Sequence, residues 1–322
     1  MMADNKRHNA KSEMAALQKA LNRYEIIEMI GRGGMATVYK ARHKKLDKLI
    51  ALKVIHHSLI ADSEFLSRFV RESQYSASMN HPNIVKIYDT DNVGDFYYQA
   101  MEYLDGEDLH KLIKRKGKID VKTTVQIVLD ISSALDHAHQ KGIIHRDIKS
   151  SNIFWTKDNR AVLTDFGIAK SNTSSKLTQV GVIIGTPEYM SPEQANNQPL
   201  LPQSDFYSLG VVMYHCLSGR VPFTSETPLS VLYQVVHNQP IPIKRLNRSV
   251  DEQVNDLCLK LLEKNPKKRP PSKEDCERIL GEKYSTSPKK MNRILVPLLI
   301  LLLILNIAFV SGFLIYREYD NS

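Results

Sequence analysis

Eight consecutive residues, His145-Arg146-Asp147-Ile148-Lys149-Ser150-Ser151-Asn152, restrict this chain more than any other stretch. They carry an acid/base carboxylate, a lysine two residues later and an asparagine three residues after that. Such a loop sets a proton acceptor, a fixed cation and a metal-seeking amide side by side. Phosphoryl transfer needs that set, because the protein must position an attacking hydroxyl and neutralise developing phosphate charge. The competing reading is a charged surface loop that follows the apolar pair Ile143-Ile144, and the surrounding sequence has to decide between them.

Upstream, the sequence is strand-like with one helix. Tyr24–Ile30 and Thr37–Ala41 bracket the run Gly31-Arg32-Gly33-Gly34-Met35-Ala36, so two strands meet in a glycine-rich turn whose backbone can approach a ligand closely. Leu49–Ile55 is a further strand interrupted by Lys53, a cation that needs an anionic partner if its sheet is covered. Residues 63–79 read as a helix with Phe65, Phe69, Glu72 and Ser76 on one stripe, which turns Glu72 inward toward Lys53. His81-Pro82-Asn83 breaks that helix before the strands 84–88 and 96–101.

Downstream, helices dominate. Residues 121–140 are amphipathic and stop near Gly142, Ala161–Thr164 is a short strand ending at Asp165-Phe166-Gly167, and helical patterns cover 204–217, 228–238 and 250–263. A small strand-rich lobe before a larger helical lobe is an α+β arrangement with a cleft between the two. At 322 residues the chain has room for such a domain of roughly 250 residues plus an extra segment. Residues 1–23 are polar, without a signal-peptide core; Ala15, Ala16, Leu17, Ala20 and Leu21 offer a short helix, but a frayed leader is the preferred expectation. Cys216, Cys258 and Cys276 are odd in number and widely spaced, which excludes a disulfide framework and points to a reducing compartment.

The net charge of +9 is concentrated between Lys260 and Arg293, where eleven Lys/Arg stand against five Asp/Glu. No aromatic residues alternate with these charges as a nucleic-acid stacking platform requires, so nucleic acid is not expected as a partner. A patch beside anionic lipid fits better, because Ile294–Tyr316 is a run of 23 uncharged residues flanked by Lys289, Lys290 and Arg293. As a helix it reaches about 34 Å, enough for a hydrocarbon core of about 30 Å. Basic residues precede the span, and Arg317-Glu318-Tyr319-Asp320 follows it with net acidic charge, so the N-terminal bulk is expected in the cytoplasm and residues 317–322 outside. The linker 281–293 extends to at most about 45 Å, which keeps the domain near the membrane. Plain lipid anchoring is the preferred reading of the span, with a dimerisation face at Asn306 and the pair Ala308 and Gly312 as the alternative.

Order and spacing decide what single motifs do not. A glycine-rich turn, an Ala-x-Lys strand, an inward helix Glu, a His-Arg-Asp loop, an Asp-Phe-Gly turn and a Ser-Pro-Glu follow one another in sequence. In this the chain resembles the protein kinases, and among them the bacterial eukaryotic-like (Hanks-type) membrane serine/threonine kinases. The resemblance rests on Gly31–Tyr39, Gly185–Gln194, Tyr207–Gly210 and Ser218–Phe223 and covers about residues 24–280. It implies the bilobal kinase fold, with an N-lobe at 24–101, a hinge at 102–106 and a C-lobe at 107–280, followed by the transmembrane helix.

The resemblance also implies roles. Ile30, Gly31, Arg32, Gly33, Gly34, Met35 and Ala36 would close over the phosphates of ATP, and Lys53, fixed by Glu72, would hold the α- and β-phosphates. Val38 and Ala51 above and Phe154 below would sandwich the adenine. Glu102 and Leu104 would meet its edge, with Met101 behind. Asp147 would accept the substrate hydroxyl's proton and Lys149 would face the γ-phosphate. Asn152 and Asp165 would ligate Mg²⁺, or Mn²⁺ in its place. Lys149 with Thr186 ahead of Pro187 is similar to serine/threonine rather than tyrosine kinases, so protein Ser/Thr hydroxyls are the implied substrates. Glu193 would pair with Arg269, and Asp205 would brace the loop from below. Arg146 would bind a phosphate on the segment after Asp165, where Thr173, Ser174, Ser175 and Thr178 are candidates and Thr178 matches best.

Some positions depart from the pattern. Ala36 replaces a third glycine, Ser150 stands where proline is frequent, and Ser191 replaces alanine, but none of these removes a functional group. Related receptors carry long extracellular repeats that residues 317–322 cannot form, so input is expected from the cytoplasm, the bilayer or self-association. A catalytically silent membrane scaffold is the alternative function.

Overall fold

The structure is a computed structural model. It describes residues 14–166 and 186–284, with the side chains at 68, 71, 72 and 74–77 left out. Contacts separate the chain into Met1–Ile279 and Leu280–Ser322. Of the second unit only residues 280–284 are described.

The small lobe opens with a helix over residues 14–20 (α1). It continues through β1 (Tyr24–Arg32), β2 (Ala36–His43), β3 (Lys48–Ile55), α2 (Ser63–Ala77), β4 (Ile87–Val93) and β5 (Phe96–Glu102). The strands form one antiparallel sheet in the order β1-β2-β3-β5-β4. Strand alternation sorts β3 into two faces. Ile50, Leu52 and Val54 enter a core with Tyr39, Ala41, Tyr98 and Ala100, while Ile55 packs on the other side with Ala36 and Phe69 of α2. Lys53 shares the face of Ala51 and Ile55 by parity, and so points toward α2 and the cleft rather than into the first core.

The expected frayed leader is corrected here. Leu17 and Leu21, four residues apart on one stripe, are each only 1% exposed and complete the first core together with Tyr24 and Ile26. The reason is the bare edge of the sheet. β1 has a partner on one side only, and the Gln18 carboxamide serves the other, donating to Tyr24 O (2.9 Å) and accepting from Ile26 N (2.7 Å).

The large lobe comprises β6 (Gly106–Asp108), α3 (Leu109–Lys116), α4 (Val121–Gln140), β7 (Ile153–Thr156) and β8 (Ala161–Leu163). These are followed by α5 (Pro192–Ala195), α6 (Pro202–Ser218), α7 (Pro228–His237), α8 (Ile243–Leu246), α9 (Glu252–Leu261) and α10 (Lys273–Leu280). β6, β7 and β8 form a second sheet in that order. Side-chain caps start the helices: Asp108, Asp120, Thr227 and Asp251 each accept from a backbone N–H of the first turn. α4 has the expected bounds, and Gly142, at φ +73°, turns the chain away just after it. α6 is buried nearly all round, and Gly210 is required there because a Cβ would stand 2.7 Å from Leu261 Cβ of α9. This is the bilobal protein-kinase fold, with a sheet-based N-lobe and a helical C-lobe.

One strand begins later than expected. β4 starts at Ile87, and residues 83–85 instead join β8 of the large lobe, with Leu163 N donating to Asn83 O (2.8 Å), Val85 N to Leu163 O (2.9 Å) and Asn83 Nδ2 to Ala161 O (2.9 Å). The apolar run Ile84-Val85 satisfies a strand of the other lobe, which stitches the back of the cleft shut. The expected span 294–316 lies outside the described residues. Among those described, no helix is long and apolar enough to cross a membrane.

Candidate active site

The loop 145–152 is fixed by its backbone. Asp205, 1% exposed near the start of α6, accepts from His145 N, Arg146 N and His139 Nε2, each at 2.8 Å. Arg146 sits at φ +68°, a conformation that costs a non-glycine residue roughly 1 kcal/mol or more. The loop keeps it there by gripping both ends of the residue, since Gln194 Nε2 donates to Arg146 O at 3.0 Å. His145 is fully buried and stacks its ring 4.6 Å from that of Phe166. Burial pushes its pKa below the ordinary imidazole value, and the neutral ring fits its contacts. Nδ1 accepts from Asp147 N (3.3 Å) and Nε2 faces Thr164 O (3.3 Å).

Asp147, Lys149 and Asn152 converge as the sequence predicts. Lys149 Nζ lies 2.9 Å from Asp147 Oδ2, and Asn152 Nδ2 donates to Asp147 O (2.9 Å) and Oδ2 (3.1 Å). Because the amide nitrogen faces Asp147, the Asn152 Oδ1 oxygen is turned away from that carboxylate. Thr164 ties this loop to the next, donating through N and Oγ1 to Asn152 O at 2.9 and 3.1 Å. Asp165 follows at φ +54° and meets Lys53 Nζ at 2.5 Å across the cleft. Burial pushes the Asp165 carboxyl up, but the Lys53 ammonium more than offsets this and holds it below the usual carboxylate range. The side chain of Glu72, the other expected partner of Lys53, is outside the description, as are Thr173 and Thr178. Thr186 is described and starts the short turn Pro187–Tyr189.

Above the cleft, Ile30, Arg32, Gly33, Gly34 and Met35 are exposed and Ala36 is buried. Gly31 and Arg32 still pair with Val38 and Thr37, and Gly33 N donates to Ala36 O at 2.9 Å. None of the three glycines has a left-handed backbone, and a Cβ on Gly34 would meet nothing within 4 Å. The fold alone therefore gives no steric reason for glycine, whereas a ligand under the flap would. Of the residues expected around the base, Met101, Leu104 and Phe154 share one apolar cluster. Ala51 is cross-strand from Met101 and Val38 from Lys53, while Met101, Leu104 and Phe154 pack on Val85, Ile87 and Val162. Glu102 N donates to Lys86 O (2.8 Å), and the Glu102 side chain accepts from Arg160 Nη2 (2.8 Å), so this residue is braced from both lobes.

Glu193 and Arg269 form a buried bidentate pair at 2.7 and 3.0 Å. Ser204 Oγ adds a third bond to Glu193 at 2.6 Å, and Arg269 also donates to the carbonyls of Glu263, Lys264 and Gln203. Burial raises the Glu193 carboxyl, but the Arg269 and Ser204 hydrogen bonds outweigh it and the net shift is downward. The sequence reading missed His56, which lies just beyond β3. Its ring is 3.2 Å from Gly34 O and 3.1 Å from Thr37 Oγ1, and its backbone N donates to Met35 O, so it holds the flap tip from beneath. A single histidine after a strand carries no spacing signal that would have shown this. Tyr189 and Gln194 were visible only as letters of a motif.

Comparison with known proteins agrees with this geometry. The family model described as protein kinase domain matches residues 24–284. The serine/threonine-protein kinase PknB of Mycolicibacterium smegmatis is 40% identical over 262 residues, which is 80% of this chain and 42% of that protein. A probable serine/threonine-protein kinase of Clostridium acetobutylicum is 40% identical over 248 residues, covering 77% and 38%. PknB of Mycobacterium leprae is 38% identical over 279 residues, covering 85% and 45%. The chain thus spans less than half the length of these relatives. Through residues 24–284, which hold every described side chain of the cleft, the chain belongs to the protein kinase family.

Proposed function

We propose that this chain is a serine/threonine protein kinase that transfers the γ-phosphoryl group of ATP to Ser/Thr hydroxyls of proteins. The observation that carries the reading is two clusters tied together through Thr164: Asp147 with Lys149 and Asn152, and Lys53 with Asp165. Asp147 takes the proton of the substrate hydroxyl, and Lys149 places positive charge where the transferred group passes. Lys53 binds the α- and β-phosphates, while Ala51, Val38 and Phe154 enclose the base and the hinge backbone at Glu102 and Leu104 meets its edge. The metal donors also fit. Mg²⁺ asks for hard oxygen ligands and takes one or two carboxylates plus phosphates, and the Asp165 carboxylate and the Asn152 amide oxygen supply them. When bound, the ion neutralises phosphate charge. Serine/threonine preference follows the relatives' names and Lys149 within the loop.

Two further parts belong to this proposal. Residues 294–316 anchor the chain in the cell membrane, with the kinase domain on the cytoplasmic side and the basic linker facing anionic lipid. Phosphorylation of Thr178 by the chain itself gives Arg146 an anion to bind, and Arg146 Nε is buried with no hydrogen-bond partner among the described residues. Transfer of label from γ-labelled ATP to a protein acceptor by wild type, abolished in Asp147→Asn, is the expected result; equal transfer by the variant would refute the mechanism. Full activity in Thr178→Ala would refute the phosphorylation step, and release from membranes by alkaline carbonate would refute the anchor.

A further inference from the structure

The segment Thr186–Ala195 is pinned to the loop on both sides of Asp147. On one side Gln194 holds Arg146 O at 3.0 Å, while its own Oε1 accepts from Ser191 N at 2.9 Å. On the other, Ser150 Oγ lies 2.9 Å from the Tyr189 hydroxyl, which lies 2.8 Å from His215 Nδ1 on α6. Ser150 and Tyr189 are both buried, and Ser208 Oγ donates to Tyr189 O at 2.7 Å, so the tyrosine is held at ring tip and backbone alike. Burial brings the Tyr189 phenol up to about 12 and, helped by the neighbouring His110, the His215 imidazole down to about 4. Both groups therefore stay neutral in ordinary buffers, and the chain of three polar groups keeps one pattern: Ser150 and Tyr189 share a hydroxyl bond, and the phenol shares a second with the imidazole. Proline at position 150 would have no hydroxyl and no such bond, so this connection belongs to the serine found here.

We propose that Ser150 is a positioning residue which, through Tyr189 and His215, sets the register between the loop carrying Asp147 and the segment Thr186–Ala195, and that the protein acceptor docks against this segment. Gln194 fixes the near end of that register and the Ser150–Tyr189 bond fixes the far end, three residues beyond Asp147. The inference rests on the kinase reading above, and it separates the two substrates, since Ser150, Tyr189 and His215 are not among the residues assigned to the base or to the α- and β-phosphates.

Steady-state kinetics of the full chain with a fixed protein acceptor test it through Ser150→Ala, Tyr189→Phe and the double variant. Loss of one buried hydrogen bond predicts a fall of about three- to tenfold in kcat/KM for the acceptor in each single variant. No further fall is expected in the double variant, and KM for ATP should be unchanged. Independent, multiplicative losses, an equal rise in KM for ATP, or unchanged acceptor kinetics would each overturn it. Either single variant suffices if the other does not fold, because the selective loss is read in each. A wild type that transfers no phosphate at all would instead fail the kinase reading and this inference with it.

Discussion

Replacing Asp205 by asparagine perturbs the loop without changing its volume. In the wild type one carboxylate takes three donors at 2.8 Å: Oδ1 accepts from Arg146 N, and Oδ2 from His145 N and His139 Nε2. With the amide oxygen kept toward Arg146, the NH₂ faces the N–H of His145, and a buried donor is left opposite another donor. An unsatisfied buried group costs about 1–3 kcal/mol, and loss of charge on the remaining bond to Arg146 N adds about 1 kcal/mol. The net expectation is about 3 kcal/mol. For a domain of this size that lowers Tm by about 6–12 °C. The chemical effect should exceed the thermal one, because Asp147 lies two residues from His145 and a misplacement of about 1 Å costs on the order of a hundredfold in rate. Calorimetry or circular dichroism gives the first number, and labelled-phosphate transfer at saturating ATP gives the second. A variant that melts within about 2 °C of wild type and keeps its kcat would refute the claim that Asp205 holds the loop.

Leu17→Ala should destabilise the domain by about 2–4 kcal/mol, read from urea unfolding, since this helix is part of the small-lobe core; an unchanged midpoint would return α1 to a mere leader. Glu193 has a folded pKa below its ordinary value, so its contribution is present in full above the unfolded carboxylate range and is lost as pH falls through the lower folded value. Glu193→Gln should therefore be clearly less stable than wild type at pH 7, with the gap closing as pH drops below about 4; a gap that stays constant with pH would sink this assignment. His56→Ala frees the flap tip and should raise KM for ATP about three- to tenfold with little change in kcat, measured by varying ATP at saturating acceptor.

What the sequence made legible follows from where side chains do chemistry at fixed intervals along the backbone. Asp147, Lys149 and Asn152 lie within one loop, so their convergence is local and spacing alone predicts it. Lys53 and Asp165 are 112 residues apart, yet one sits within a recognisable strand and the other just after one, and order along the chain stood in for distance. Legibility failed where a contact depended on which surface lacked a partner. Gln18 and Leu17 have no motif; their positions are set by the uncovered edge and face of the sheet, which appear only once β1 is known to be the outer strand. Residues 83–85 failed for the opposite reason. An apolar run reads as a strand whichever sheet it joins, and here β8 of the other lobe took it.

The same contrast explains how the site is held. The side chains expected to touch substrate are aimed by backbone groups, and those backbone groups are gripped by residues the chemistry never uses. Asp205 and Gln194 hold Arg146 from opposite sides in a left-handed turn, Thr164 holds Asn152 O, and, side chain to side chain, the Ser150 hydroxyl meets that of Tyr189. Each grip comes from a different element, namely α6, α5, the end of β8 and the loop itself. Loss of one should shift the loop by a fraction of an ångström rather than unfold it. Substitutions at these residues should accordingly depress turnover more than stability, whereas those at Leu17 or Gly210, which only fill or spare space, should do the reverse.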